Sequence, residues 1–137
     1  MSQEDFTQQL YAAMSADQSA GSVWALTDGR IYQTVPPPNA ALPRVVFTVV
    51  NREVSPYFTA DDDIATDFVI QVVGDLAAGI TPVTQIHDAI NTLLHKQSIG
   101  SSATGATTIW RTDAGEVERK HDAVQIASKW TARTNIR

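Results

Sequence analysis

The segment Val45-Val46-Phe47-Thr48-Val49-Val50 decides the fold. It is β-branched at every position but Phe47 and apolar on both alternating faces, the pattern of a strand covered on both sides. It is therefore placed at the centre of a sheet. A second run, Phe68-Val69-Ile70-Gln71-Val72-Val73, puts Phe68, Ile70 and Val72 on one face and Val69 and Val73, beside Gln71, on the other. This predicts a strand over about residues 64–73, next to the first. The connection, residues 52–63, holds Pro56, the aromatic pair Tyr57-Phe58 and the acidic run Asp61-Asp62-Asp63. It is long for two neighbouring strands and reads as a projecting hairpin loop.

Upstream, Ser2 with Asp5 three residues on is a helix-opening pattern, and Phe6, Leu10, Ala13 and Met14 follow on one helical face. A helix is predicted over about residues 3–16. Residues 17–22 form a turn, residues 23–26 a short apolar piece of undecided type, and Ile31-Tyr32 a short strand. Pro36, Pro37 and Pro38 fix φ and remove donors, so the chain crosses the surface there as a polyproline-like strap as far as Pro43.

Downstream, Thr81-Pro82 supplies an N-cap and first-position pair for a second helix with the apolar stripe Val83, Ile86, Ala89, Ile90, Leu93 and Leu94, ending near residues 96–98. A Gly/Ser/Thr-rich stretch over residues 100–107 precedes a strand around residues 108–111 and a turn at residues 113–116. In the final strand Val124, Ile126 and Trp130 alternate with Gln125, Lys129, Thr131 and Arg133, which marks one buried and one wet face. The whole reads as a single α+β domain over residues 1–137, a mainly antiparallel sheet of about four strands with two helices packed on one face. Two helices cover only one face of such a sheet. The other must be covered by the proline strap with the long loop, or by another copy of the chain in a closed ring.

Composition excludes several classes of function. With 43% hydrophobic and 18% charged residues in 137, the chain is long enough for one core, and no apolar run approaches the roughly 20 residues of a membrane-spanning helix. The acidic, polar Met1-Ser2-Gln3-Glu4-Asp5 is unlike a secretory signal. The absence of cysteine rules out disulfides, a thiol nucleophile and thiolate metal sites, and fits a reducing compartment. A net charge of −5 argues against direct nucleic-acid recognition, which rests on Lys and Arg neutralising phosphates.

No motif carries chemistry. His87, His95 and His121 match no metal-ligand spacing. Asp61-Asp62-Asp63 lacks the spaced ligands and closing glutamate of a calcium loop. Phosphate-cradling glycine loops and nucleophile elbows are absent. No catalytic, cofactor-binding or metal residue is assigned, no cofactor is expected, and the chain is not read as an enzyme. Basic residues gather weakly at Arg119-Lys120-His121 and at Lys129, Arg133 and Arg137, a set read first as a solvated face. The candidate protein interface is the long connection: Arg52, Tyr57, Phe58, Asp61, Asp62 and Asp63, with the aromatic pair most informative because aromatics are enriched at protein contacts.

The N-terminal helix, the Arg30-Ile31-Tyr32 segment, the proline run into Leu42-Pro43-Arg44-Val45-Val46-Phe47, the strand Phe68-Val69-Ile70-Gln71-Val72-Val73-Gly74-Asp75 and the helix over residues 82–94 follow one another in an order that resembles the tail-completion or tail-terminator proteins of long-tailed bacteriophages. The resemblance covers most of the chain in short pieces. It implies a structural virion protein, made in the host cytoplasm and placed at the head–tail junction. There it would form a ring, hexameric in the family, that caps the tail tube, stops its polymerisation and joins the tail to the head connector. The implied partners are the chain itself, the tail tube protein and the head–tail connector proteins. The acidic run at residues 61–63 and the last hairpin match no family role. A head-side neck or connector subunit would share these features, and a small intracellular ligand-binding protein is the reading from another class.

Overall fold

The structure, a computed structural model, describes residues 3–37, 41–54, 62–99, 106–113, 115–120 and 122–136. Helix α1 (Gln3–Ala16) and the five-residue α2 (Val23–Thr27) lead into β1 (Ile31–Gln33) and β2 (Arg44–Val54). Then come β3 (Asp62–Asp75), a single 3-10 turn at Leu76–Ala78, α3 (Thr81–Leu94), β4 (Gln97–Ile99), β5 (Ala106–Asp113), β6 (Val117–Lys120) and β7 (Ala123–Ile136). The strands form one curled, half-barrel sheet in the order β1-β2-β3-β7-β5-β4, with β6 also on β7. All pairings are antiparallel except β1 with β2.

The expected sheet of about four strands is therefore corrected to seven. The short strand read at Ile31-Tyr32 is β1, whereas β4, with three residues, is too short to show a period of two. The segment read as the turn at residues 113–116 is instead an irregularity between β5 and β6, where Asp113 Oδ1 accepts the Gly115 N–H at 2.9 Å. Gly115 has φ of +75°, and a Cβ there would run into the Ala127 carbonyl oxygen, so the position needs glycine. The chain reverses later, between Lys120 and its partner Ala123.

Similarly, residues 52–54 and 62–63, read as loop, extend β2 and β3: Arg52 lies opposite Thr66 and Val54 opposite Ile64, with a bulge between Val49 and Asn51. Helix α3 is capped by Ile80 and not by Thr81; no side chain caps it, and Pro82 lies in its first turn.

One face of the sheet carries the core. Val45 and Phe47 of β2, Phe68, Ile70 and Val72 of β3, and Val124, Ile126, Trp130 and Ala132 of β7 are buried against Phe6, Leu10 and Met14 of α1 and Val83, Ile86, Ile90 and Leu94 of α3. The Phe6 and Phe68 rings meet at 5.4 Å, tilted 60°, and Phe68 stacks on Trp130 at 6.2 Å. This aromatic column joins α1 to the two central strands. Trp130 Nε1 donates to Ser128 Oγ at 2.8 Å, which satisfies the one polar atom of the indole inside the core.

The opposite face is less apolar than the alternation implied. Val46 and Val73 are buried, but their cross-strand neighbours are Tyr32 and Gln71 for Val46, and Arg44 and Gln125 for Val73. Gln71 Nε2 donates to Gln125 Oε1 at 2.6 Å and Thr131 Oγ1 to Asp67 Oδ1 at 2.8 Å, so part of this face is satisfied by its own polar side chains. The described part of the strap does not lie over it: Val35 and Pro37 line a groove with Thr7 and Tyr11 of α1, on the helix side.

Two substitutions test this packing. Phe68→Ala, at a fully buried site, is expected to cost about 3–5 kcal/mol in urea-induced unfolding, and a near-neutral result would contradict its central place. Gly74 faces α3, where an added Cβ would collide with Val83 Cγ2. Gly74→Ala is expected to destabilise, and combining it with Val83→Ala should cost less than the sum of the two changes; simple additivity would contradict the contact.

Candidate functional site

The candidate interface residues do not form one described cluster. Arg52 is a half-buried β2 residue, opposite Thr66 on the helix-side face, and not part of a loop. Asp62 and Asp63 belong to β3, opposite Ile136 and Asn135 of β7. Tyr57, Phe58 and Asp61 lie outside the described residues.

The histidines divide in the same way. His87 is buried on α3, and His95 is the half-buried C-cap of that helix. His95 Nδ1 accepts the Arg111 N–H at 3.0 Å while its ring stands edge-on to Trp130 at 6.4 Å. The ring therefore carries its proton on Nε2 and ties the end of α3 to β5. Nothing in the spacing of the sequence signalled this role, because it depends on a strand 16 residues away. His121 lies outside the described residues. Among the described residues no group of three or more His, Asp or Glu side chains could hold a metal ion, and no helix is long and apolar enough to cross a membrane.

Two grooves open on the helix side. The first, about 600 Å³, is floored by Met14 of α1, Val23 of α2 and Ala89 and Leu93 of α3, with Asp17 and Ser19 of the intervening turn also lining it. Ser22 caps α2 by accepting the Ala25 N–H at 3.2 Å, which fixes the chain at one end of this groove. Asp17 Oδ1 accepts both the Ser19 hydroxyl at 2.6 Å and the Ser19 N–H at 3.0 Å. These two bonds, the hydroxyl first, hold the exposed Asp17 carboxyl below its ordinary value.

The second groove, about 450 Å³, runs between α1 and the β1 edge, with Tyr11, Ile31, Tyr32, Val35, Pro37 and Phe47 in its walls. Neither groove brings a carboxylate together with a histidine or lysine. The first groove is of mixed polarity, with Asp17, Ser19, Ser22, Thr92 and Gln97 beside its apolar floor, and the second is mainly apolar.

Arg30 fixes the sheet edge beside the second groove. Its guanidinium donates from Nε to the Pro43 carbonyl at 2.9 Å and from Nη2 to the Leu42 carbonyl at 3.3 Å, and pairs with Asp28 at 3.4 Å. The strap is thereby pinned where it enters β2. Of the basic residues noted at the C-terminal hairpin, Arg119, Lys129 and Arg133 are exposed, and they are spread over both faces: Arg119 is opposite Val124 on the core-side face, and Lys129 and Arg133 opposite Val69 and Ala65 on the other.

No protein-family model and no curated protein matches the sequence. Among solved structures, the chain is similar to one in the virion of a native gene transfer agent (GTA) particle: TM-score 0.71, 25% identity, with 93% of this chain and 92% of that chain covered. A second solved chain is 14% identical with a TM-score of 0.61 and 96% of each chain covered, a likeness of fold alone.

The turn that lines the first groove can be tested directly. Because the folded Asp17 carboxyl titrates low, its contribution to the turn is complete above the ordinary carboxylate value and is lost as pH falls through the depressed one. Ser19→Ala is expected to raise the Asp17 midpoint in a side-chain NMR titration; an unchanged midpoint would contradict the assignment.

Proposed function

We propose that this chain is a structural protein of a virion, and that within it the chain serves as a tail-terminator or tail-completion subunit. The observation that carries the first part is the likeness, over nearly the whole of both chains, to a component of a gene transfer agent virion. The finer role is supported by the sequence resemblance to tail-completion proteins, which runs through Arg30-Ile31-Tyr32, the approach to β2, β3 and α3.

On this reading the subunits form a ring, hexameric as in that family, at the end of the tail tube. The ring stops addition of further tube subunits and offers its other side to the head connector. The chain acts by binding and not by catalysis, and its place is the head–tail junction. The connection between β2 and β3, which holds Tyr57 and Phe58, is the segment assigned to contact with the tube or the neighbouring subunit.

The test is the solution mass of the purified chain over a wide concentration range, with and without isolated tail tubes, followed by electron microscopy of any complex. A ring, or a monomer that assembles into a ring on tube ends, is the expected result. Binding to head or portal complexes instead would make it a neck subunit, and indifference to both would remove the virion reading.

A further inference from the structure

Among the described residues the large apolar side chains left exposed are Tyr11, Val35, Val50, Ile80, Trp110 and Val117. All but Ile80 lie along the two edges of the sheet. Tyr11 and Val35 flank β1, and Val50 sits at the β2 bulge just beyond it. Trp110 and Val117 belong to β5 and β6 on the opposite edge. Val50 and Trp110 even share a level: the row Asn51, Asp67, Thr131, Trp110 crosses the whole sheet, and Val50 precedes Asn51.

The outlines of the two edges are related. On one side β1 borders β2 only alongside Val45, Val46 and Phe47, and no described strand lies outside β2 from Thr48 onward. On the other, β4 borders β5 only alongside Thr107, Thr108 and Ile109, and no described strand lies outside β6. The registers place these steps. The level of β4 runs through Ile109, Ala132 and Thr66 to Arg52, in the recessed part of the β2 edge. The level of β1 runs from Ile31 through Val45, Val72 and Ile126 to Val117, in the recessed part of the β6 edge. Each edge therefore projects where the other is set back.

We propose that these stepped edges are the contact between copies of this chain: β1 of one copy beside β6 of the next, and β4 of that next copy beside the β2 end of the first. The partner is a second copy because the shape and the apolar side chains that match one edge are found on the other edge of the same sheet. Such a contact continues the sheet from copy to copy, covers Val50, Trp110 and Val117, and gives the open edges a partner. It is heterologous, joining two different surfaces, so it repeats around a ring instead of stopping at a dimer. The inference rests on reading the chain as an assembling subunit, and it names the surfaces that the assembly uses.

The natural absence of cysteine makes the test clean. Val50→Cys and Trp110→Cys would be made singly and together, at exposed positions, and the concentrated protein, alone and with isolated tail tubes, treated with a short bismaleimide. The double variant is expected to give a ladder of multimers, an equal mixture of the two single variants to give dimers, and each single variant alone to stay uncross-linked. Absence of the ladder, or dimers from one single variant alone, would overturn the proposal. As a second measurement, Val50→Lys with Trp110→Lys should lower the solution mass to that of a monomer that still unfolds cooperatively, and persistent multimers would overturn it. A chain that binds tube ends but fails the cross-linking loses this contact and keeps the virion reading. A chain that cross-links but ignores tubes and particles does the reverse.

Discussion

Fourteen consecutive register pairs join β3 to β7, from Asp62 opposite Ile136 to Asp75 opposite Ala123, and the remaining elements are placed by reference to this ladder. Side chains alternate across a strand, so a slip of one residue would turn Phe68, Ile70 and Val72 away from the helices and bring Val69, Gln71 and Val73 inward. The correct register puts Phe68 beside Trp130, and Phe68 in turn receives Phe6 from α1. It also brings Gly74 beneath Val83, which lets α3 approach the sheet closely. The helices are thus seated by two features of the same ladder, an aromatic column and a glycine gap.

Once the ladder is set, the edges follow. The strand β2 pairs on one side of β3, and the C-terminal hairpin folds β5 and β6 along the far side of β7. What is left for the edges is short: three residues of β1, held by Arg30 and the strap, and three of β4, held by the His95 link between α3 and β5. The two short strands sit at opposite ends of the sheet. The molecule is complete as a folded core, while its edges keep the exposed side chains that a second copy would cover.

The long, strongly patterned elements were legible in the sequence. The Phe6, Leu10, Met14 stripe and the Val83, Ile86, Ile90, Leu94 stripe mark α1 and α3, and the alternation around Trp130 marks β7. The short strand β1 was read at Ile31-Tyr32, but the number of strands was not legible, because β4 is shorter than the window in which alternation can be seen, and because Asp113 and Gly115 look like a turn while acting as an irregularity between two strands. The apparent double-sided burial of β2 and β3 misled for another reason. The buried Val46 and Val73 stand beside Gln71, Arg44 and Gln125 as well as Tyr32, so this face mixes polar and apolar side chains. Of the candidate interface, Arg52 lies within a strand, and the aromatic pair Tyr57-Phe58 falls outside the described residues, so the sequence pointed to a hairpin but not to the sheet edges.

The most direct measurement of the central proposal, a virion subunit with a terminating role, is quantitative mass spectrometry of purified particles that carry tails of different lengths, counting this chain against the tube protein. A terminating ring is present in a small fixed number per particle whatever the tail length. Absence of the chain from particles, or an amount that rises in proportion to tail length, would contradict that role.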